Sequence, residues 1–195
     1  MFKLVATAGF FSISVALYAC ATLNEDECRT VNWGQLGDID GSQGHHSTRI
    51  AKHSKACNKH GLPVDTAAYN DGWLAGISRY CVPQNGFNLG RRGATYRGSC
   101  PSQFASAFVA AYRPAKNLHD AVKSLRSTEL SIDQDIDEIA LLSRSKDPKD
   151  REKLKHVSER LSVEKSDLPR LRSNVELANR DVADYLRSNP HIKGS

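Results

Sequence analysis

Residues 117–142, NLHDAVKSLRSTELSIDQDIDEIALL, set Leu118, Val122, Leu125, Ile132, Ile136 and Ile139 at alternating steps of four and three. Only Glu129 interrupts the series. A second run follows with the same spacing: Leu154, Val157, Leu161, Leu168, Leu171, Val175, Ala178, Val182 and Tyr185, interrupted at Glu164. Between them the polar stretch Arg144 to Arg151, containing Asp147-Pro148, reads as a turn. Apolar residues at this period line one face of a helix, so the two runs predict a coiled-coil hairpin of two antiparallel arms. An arm of about 27 residues would be about 40 Å long.

Pairing positions whose numbers sum to about 293 sets Asp133 opposite Arg160, Glu138 opposite Lys155 and Arg126 opposite Asp167, with Lys123 and Arg170 as one like-charged pair. Each exposed pair contributes less than about 1 kcal/mol. Their agreement in sign nonetheless favours a hairpin over an extended dimer. The register also sets Glu129 against Glu164, and a local shift of the seam to Leu130 and Val163 would relieve that clash. Pro169, inside the second arm, predicts a kink or break, because proline removes an interior hydrogen bond.

Upstream of Pro114 the composition changes. Eleven of the thirteen glycines and nine of the fourteen aromatics fall between Cys20 and Arg113, together with Cys28, Cys57, Cys81 and Cys100. From Pro114 onward sixteen basic residues face fifteen acidic ones, with one glycine and one aromatic. The expected fold is therefore mainly α: a small disulfide-stapled helical head with a glycine-rich loop, then the hairpin. The expected division is residues 1–19 as a signal peptide, 20–113 as the head, 114–188 as the hairpin and 189–195 as a disordered tail.

The N-terminus supports export. After Lys3 the chain runs apolar and small to Leu17, the length of a signal-peptide core and too short to span a bilayer. Leu17-Tyr18-Ala19-Cys20 has the aliphatic and small residues that a lipoprotein signal peptidase requires before its cysteine, which makes Cys20 the expected lipidation site; ordinary cleavage after Ala21 is the alternative. Two or three acyl chains would anchor the protein stably, each methylene adding about 0.8 kcal/mol. Ala21 and Thr22 lack an aspartate that would retain the protein at an inner membrane, so the expected location is the periplasmic face of an outer membrane. Four remaining cysteines in an oxidising compartment then read as two disulfides.

Within the head, Trp33, Gly37 and Gly41 recur every four residues, as do Gly72, Gly76 and Tyr80, and Phe104, Phe108 and Tyr112. Each set marks one helix face on which small or flat surfaces permit close packing. Ser47 is a candidate cap for a helix ending at Gly61, and Asp65 for one running through Tyr80. If those two helices form an antiparallel hairpin, Cys57 and Cys81 lie about 24 Å apart, beyond the roughly 7 Å that a disulfide spans between alpha carbons. Of the two schemes left, Cys28 with Cys57 and Cys81 with Cys100 is preferred to Cys28 with Cys81 and Cys57 with Cys100.

The run Tyr80-Cys81-x-Pro83-x-Asn85-Gly86-Phe87-x-Leu89-Gly90-x-x-Gly93-x-x-Tyr96-x-Gly98-x-Cys100-Pro101, followed by Phe104 and Ala111-Tyr112, resembles a family of short Gram-negative envelope lipoproteins classified only as a domain of unknown function. The likeness covers about Cys28 to Tyr112 and departs at Arg113-Pro114, where the family would have glycine after the tyrosine. It implies a fold and an address but no activity.

Chemical candidates are few. His53, Cys57 and His60 share a helical face at spacings of four and three, reasonable for zinc or copper, within a histidine-rich segment spanning residues 45–60. Cys57 has a competing use in a disulfide. Gly90, Arg91, Arg92 and Arg97 are candidates for holding an anion in the glycine loop. There is no serine elbow, no zinc-protease helix and no acid or base between Cys81 and Cys100 to run a hydrolase. A formal charge of +5 on 195 residues is not a nucleic-acid signature. The expected protein is a non-catalytic envelope lipoprotein with no cofactor, held to the membrane through Cys20 and docking another envelope protein on its hairpin. A metal-binding or stress-response lipoprotein using the histidine segment is the alternative.

Overall fold

The computed structural model describes residues 22–194, so the expected signal peptide and Cys20 lie outside the described residues. Among the described residues seven α-helices follow one another: α1 (Glu25–Thr30), α2 (Trp33–Ser42), α3 (Ile50–Asn58), α4 (Thr66–Tyr80), α5 (Pro83–Arg91), α6 (Ser102–Leu142) and α7 (Pro148–Ser188), with a short 3-10 turn at Ser47–Arg49 before α3. The protein is mainly α, with two disulfides in its N-terminal helical part and a long antiparallel α6·α7 pair. No described helix is long and apolar enough to cross a membrane.

Polar caps set most helix starts. Asn24 accepts from the Glu27 amide while Glu27 reaches back to the Asn24 amide, a reciprocal box that satisfies two otherwise orphaned donors. Asn32 caps α2, Asp65 caps α4 through the Ala68 amide, and Asp147 caps α7. Ser47 does not cap a long helix as expected; it opens the 3-10 turn, whose cap is the His46 ring.

Two helix pairs are built on glycine. In α2·α4 a methyl group on Gly72 would lie 1.9 Å from the Gly34 carbonyl oxygen, and one on Gly37 would lie 2.0 Å from the Tyr69 carbonyl oxygen, so the backbones touch where side chains normally intervene. In α5·α6 the same holds for Gly90, whose added methyl would lie 2.4 Å from the Tyr112 carbonyl oxygen. Thus α4 pairs with α2 and not, as the sequence suggested, with α3. The stretch after Cys81 expected to be a glycine loop is largely helix: Pro83 sits at the first helical position, where its missing N–H costs nothing, and Gly86 and Gly90 lie one turn apart on the face against α6.

Cys28 is joined to Cys57, and Cys81 to Cys100. The first bridge ties α1 to α3 across 29 residues of sequence. Replacing both of its cysteines by serine is expected to lower the free energy of unfolding by about 3.5 kcal/mol, the loop entropy restored to the unfolded chain. The urea midpoint of the double variant against the oxidised protein checks this.

Neither interior proline interrupts its helix. Helix α6 runs through Pro114 unbroken, as α7 runs through Pro169. Each proline leaves the carbonyl four residues earlier without its helical partner. Pro169 faces solvent, where water satisfies that carbonyl; Pro114 is flanked by Ala111 and Ala115, both buried in a core that holds the helix on course. That core joins Phe87, Ala111, Ala115 and Ile192 with Val182, Tyr185 and Leu186 around it. A separate core under α4, α5 and the start of α6 gathers Ile77, Cys81, Leu89, Cys100 and Phe108. The segment expected to be a disordered tail therefore docks: Ile192 is buried, and the Lys193 amide donates to Gln84 Oε1 at 2.7 Å.

The ion pairs along the hairpin are not the expected ones, although they scatter on both sides of the expected register. Arg160, not opposite Asp133, donates to Asp135 (Nε to Oδ2, 2.9 Å), and Glu138 meets Lys153 at 2.6 Å in place of Lys155. Asp167 pairs within its own helix with Arg170, not with Arg126. The two seam glutamates do not clash. Ser131 Oγ donates to Glu164 Oε1 at 2.8 Å and Glu129 lies 3.5 Å from Arg172. Glu164 Oε2 is buried without a hydrogen-bond partner among the described residues, and Leu130 and Val163 are not drawn into the seam but stay 54% and 64% exposed. Arg160 holds the Asp135 carboxyl below the ordinary carboxylate range, against a smaller opposing effect of burial.

Candidate functional site

A buried polar cluster lies in the head, around Asp40. This residue lies between the packing faces of Gly37 and Gly41 on α2, so close helix contact carries its carboxylate inside. Asp40 is 3% exposed, His53 from α3 is 2% exposed and Tyr69 from α4 is fully buried. His53 Nε2 lies 2.8 Å from Asp40 Oδ2, Tyr69 Oη donates to the same oxygen at 2.7 Å, and Arg49 Nε lies 3.0 Å from Oδ1.

The titration of this group follows from its neighbours. Burial pushes the Asp40 carboxyl up, but the hydrogen bonds from His53 and Tyr69 and the Arg49 charge together outweigh it and hold the group below the ordinary carboxylate range. Burial, and then the hydrogen bond to Asp40, push the Tyr69 hydroxyl well above the ordinary tyrosine value. Asp40 is thus an anion at neutral pH and Tyr69 a neutral donor. Because the carboxylate accepts, His53 Nε2 carries the proton. His53 Nδ1 is buried without a hydrogen-bond partner among the described residues.

Arg49 links this buried network to the surface. It forms part of the wall of a recess of 240 Å³ beside Gly44, His45, His46, Lys52 and Arg97. No carboxylate lines this recess. Gly44 adopts φ +75° and the Tyr80 ring packs where a side chain would project, which bends the chain after α2 and brings His45 to the opening. Trp73 Nε1 donates to the His45 carbonyl at 2.8 Å and fixes that bend. Burial, then the Arg49 charge, lower the His45 pKa, with Asp40 pulling the other way. The ring is consequently neutral near pH 7 and gains a proton more readily beside a bound anion.

The residues singled out from sequence are not assembled as expected. Cys57 is bonded to Cys28, His53 is turned to Asp40, and His60 Nδ1 lies 3.2 Å from Glu25, so the anticipated metal set does not converge. No group of three metal-ligating side chains occurs among the described residues. The anion set is divided as well. Gly90 is buried against α6, Arg91 and Arg92 close the C-terminal end of α5, where the helix dipole is negative, and Arg97 belongs to the recess near His45. Asp40 and Tyr69 were missed, although an acid beside the packing face of Gly37 and Gly41 was the signal.

The fold and site thus define a disulfide-stapled helical domain, with a buried carboxylate network under a cationic recess, extended by a long helical hairpin. Residues 32–117 match the family model described as "Protein of unknown function (DUF2799)". The match begins at the cap of α2, takes in the whole Asp40 network and recess, and ends within α6. Helix α1 and most of the hairpin lie outside it. No curated protein and no solved structure matches the chain. The two disulfides suggest an extracytoplasmic protein.

Proposed function

We propose that this protein is an exported, non-catalytic envelope lipoprotein, anchored through Cys20 to the periplasmic face of an outer membrane, whose hairpin docks a helix of another envelope protein. The N-terminal apolar run ending in Leu17-Tyr18-Ala19-Cys20 and the two disulfides support the address. The observation that carries the docking role is the outer surface of α6·α7. After the seam has buried Ile132, Val157, Leu171 and Ala178, large apolar side chains remain exposed away from it: Leu130 and Leu141 eleven residues apart on α6, Val163 and Leu177 fourteen apart on α7. Those intervals return to the same helix face, the spacing that a third helix reads.

Truncation at Pro114 is no test, because α7 supplies Val182, Tyr185 and Leu186 around the Ile192 core. The experiment is instead a photo-crosslinker at Leu130 or at Val163 in the full chain in cells, with Cys20 acylation followed by a clickable palmitate. A discrete crosslinked partner, lost on Leu141→Glu or Leu177→Glu, is expected. Absence of a discrete adduct from both positions overturns the docking role, and absence of acyl label on Cys20 overturns the anchor.

A further inference from the structure

A second cavity, of 440 Å³, lies where α5, α6 and α7 meet. Its inner wall is apolar, built from Phe87, Ala115, Leu118, Val122 and Val182. Its rim carries the cations Arg91 from α5 and Lys123 and Arg126 from α6, with the His119 ring beside them. No acidic side chain lines it among the described residues. The docked tail forms part of the edge, with Arg91 Nη1 donating to the Gly194 carbonyl at 3.2 Å, and the His119 ring is fixed by Nδ1–H donating to the Arg91 carbonyl at 3.1 Å. Lys123 and Arg126 make no ion pair among the described residues, whereas Lys116, seven residues earlier, is paired with Asp120.

The charge is sided. The groove on another face of the same helix pair is lined by Asp120 and Asp181, with no cationic side chain. Cations have therefore been gathered at the apolar cavity and acids at the other groove. An apolar wall of this size matches an ordinary small-molecule site, of about 300–1,000 Å³. Uncompensated cations at its mouth favour a ligand with a hydrocarbon body and one anionic end, because flexible cationic side chains at the edge of apolar surface reach a charge there without entering it.

We propose that this cavity binds a long-chain fatty acid, with its hydrocarbon chain against Phe87, Leu118, Val122 and Val182 and its carboxylate between Lys123 and Arg126. This site is independent of the docking surface described above, since Leu130, Leu141, Val163 and Leu177 lie outside it.

The test uses the purified full chain and a diazirine-bearing palmitate, with adducts located by mass spectrometry. A diazirine-bearing alkyl trimethylammonium of the same chain length is the opposite-charge control. Palmitate is expected to label α5, α6 or α7 at the cavity at least tenfold more strongly than the cation. Lys123→Glu with Arg126→Glu should reduce that label at least tenfold, and Val122→Trp, which narrows the cavity, should also reduce it while circular dichroism stays unchanged. Equal labelling by both probes, adducts elsewhere, or indifference to the charge reversal overturns the proposal. Labelling from a diazirine phosphatidylglycerol in vesicles without labelling by palmitate also overturns it, and would identify a membrane surface as the occupant.

Discussion

Asp40→Ala is expected to cost about 3–5 kcal/mol of stability, the penalty for leaving buried charged and polar partners without their counterpart. Arg49, His53 and Tyr69 all turn to this one carboxylate, and the last two have no route to water. In a protein of this size that corresponds to a melting point lower by about 10 °C. Asp38→Ala on the same helix is the control. Its partner Arg79 is exposed, and loss of that pair should cost less than about 1 kcal/mol. The pH dependence identifies the mechanism. Because the folded Asp40 carboxyl titrates below its ordinary value of 3.8, its stabilising effect is fully present above that value and is lost as pH falls through the depressed one. Wild type and Asp40→Ala should therefore differ by a constant amount from pH 7 to about pH 4 and converge below it, as measured by urea unfolding. A difference that already shrinks between pH 7 and pH 5 would assign the effect to a histidine instead.

Gly72→Ala is the other large effect. In an isolated helix the change would stabilise by about 0.5–1 kcal/mol, since alanine restricts the unfolded chain and favours the helix. Here the sign reverses. The new methyl would lie 1.9 Å from the Gly34 carbonyl oxygen and 2.7 Å from its carbon, and backbone inside a helix has nowhere to go. Helix α2 must retreat from α4, which stretches the Tyr69 bond to Asp40 and the Trp73 bond to the His45 carbonyl together. The expected cost is about 3 kcal/mol or more. Gly98→Ala separates contact from conformational strain. Gly98 has φ +72° but open space around it, so the change should cost only about 1–2 kcal/mol, by chemical denaturation of both variants. Comparable losses at the two positions would mean that α2 and α4 do not meet at Gly72.

Much of this architecture was legible because it rests on local spacing. The hairpin followed from steps of three and four, the helix faces of the head from glycines and aromatics every four residues, and the α4 cap from Asp65. What failed needed partners distant in sequence. The continuity of α6 through Pro114 was not legible because proline is unfavourable in a helix, yet buried Ala111 and Ala115 on either side, packed with Phe87 and Ile192, outweigh that cost. The glycine run after Cys81 looked like a loop because glycine weakens isolated helices, but Gly86 and Gly90 are there to let α6 approach. The ion pairs of the hairpin differ from the matched set because Arg160 turns to Asp135 and Glu138 to Lys153, choices of side-chain reach that charge matching alone does not reveal. In the site, histidine spacing pointed to a metal, whereas Asp40, twenty-nine residues from Tyr69 and thirteen from His53, had already engaged the buried ring.

The docking of residues 192–194 onto α5 has a consequence for how the chain reaches its fold. Gln84 and Lys193 bond across 109 residues, a closure that a flexible chain would make slowly. Helix α6 already holds one end of that span against α5, and zipping α7 back along α6 from the turn at Asp147 carries the other end to within reach. The hairpin thus works as a splint during folding, turning a distant encounter into a succession of neighbouring ones. Sequence changes near the turn, far from the second core, should slow the completion of that core without altering its final contacts.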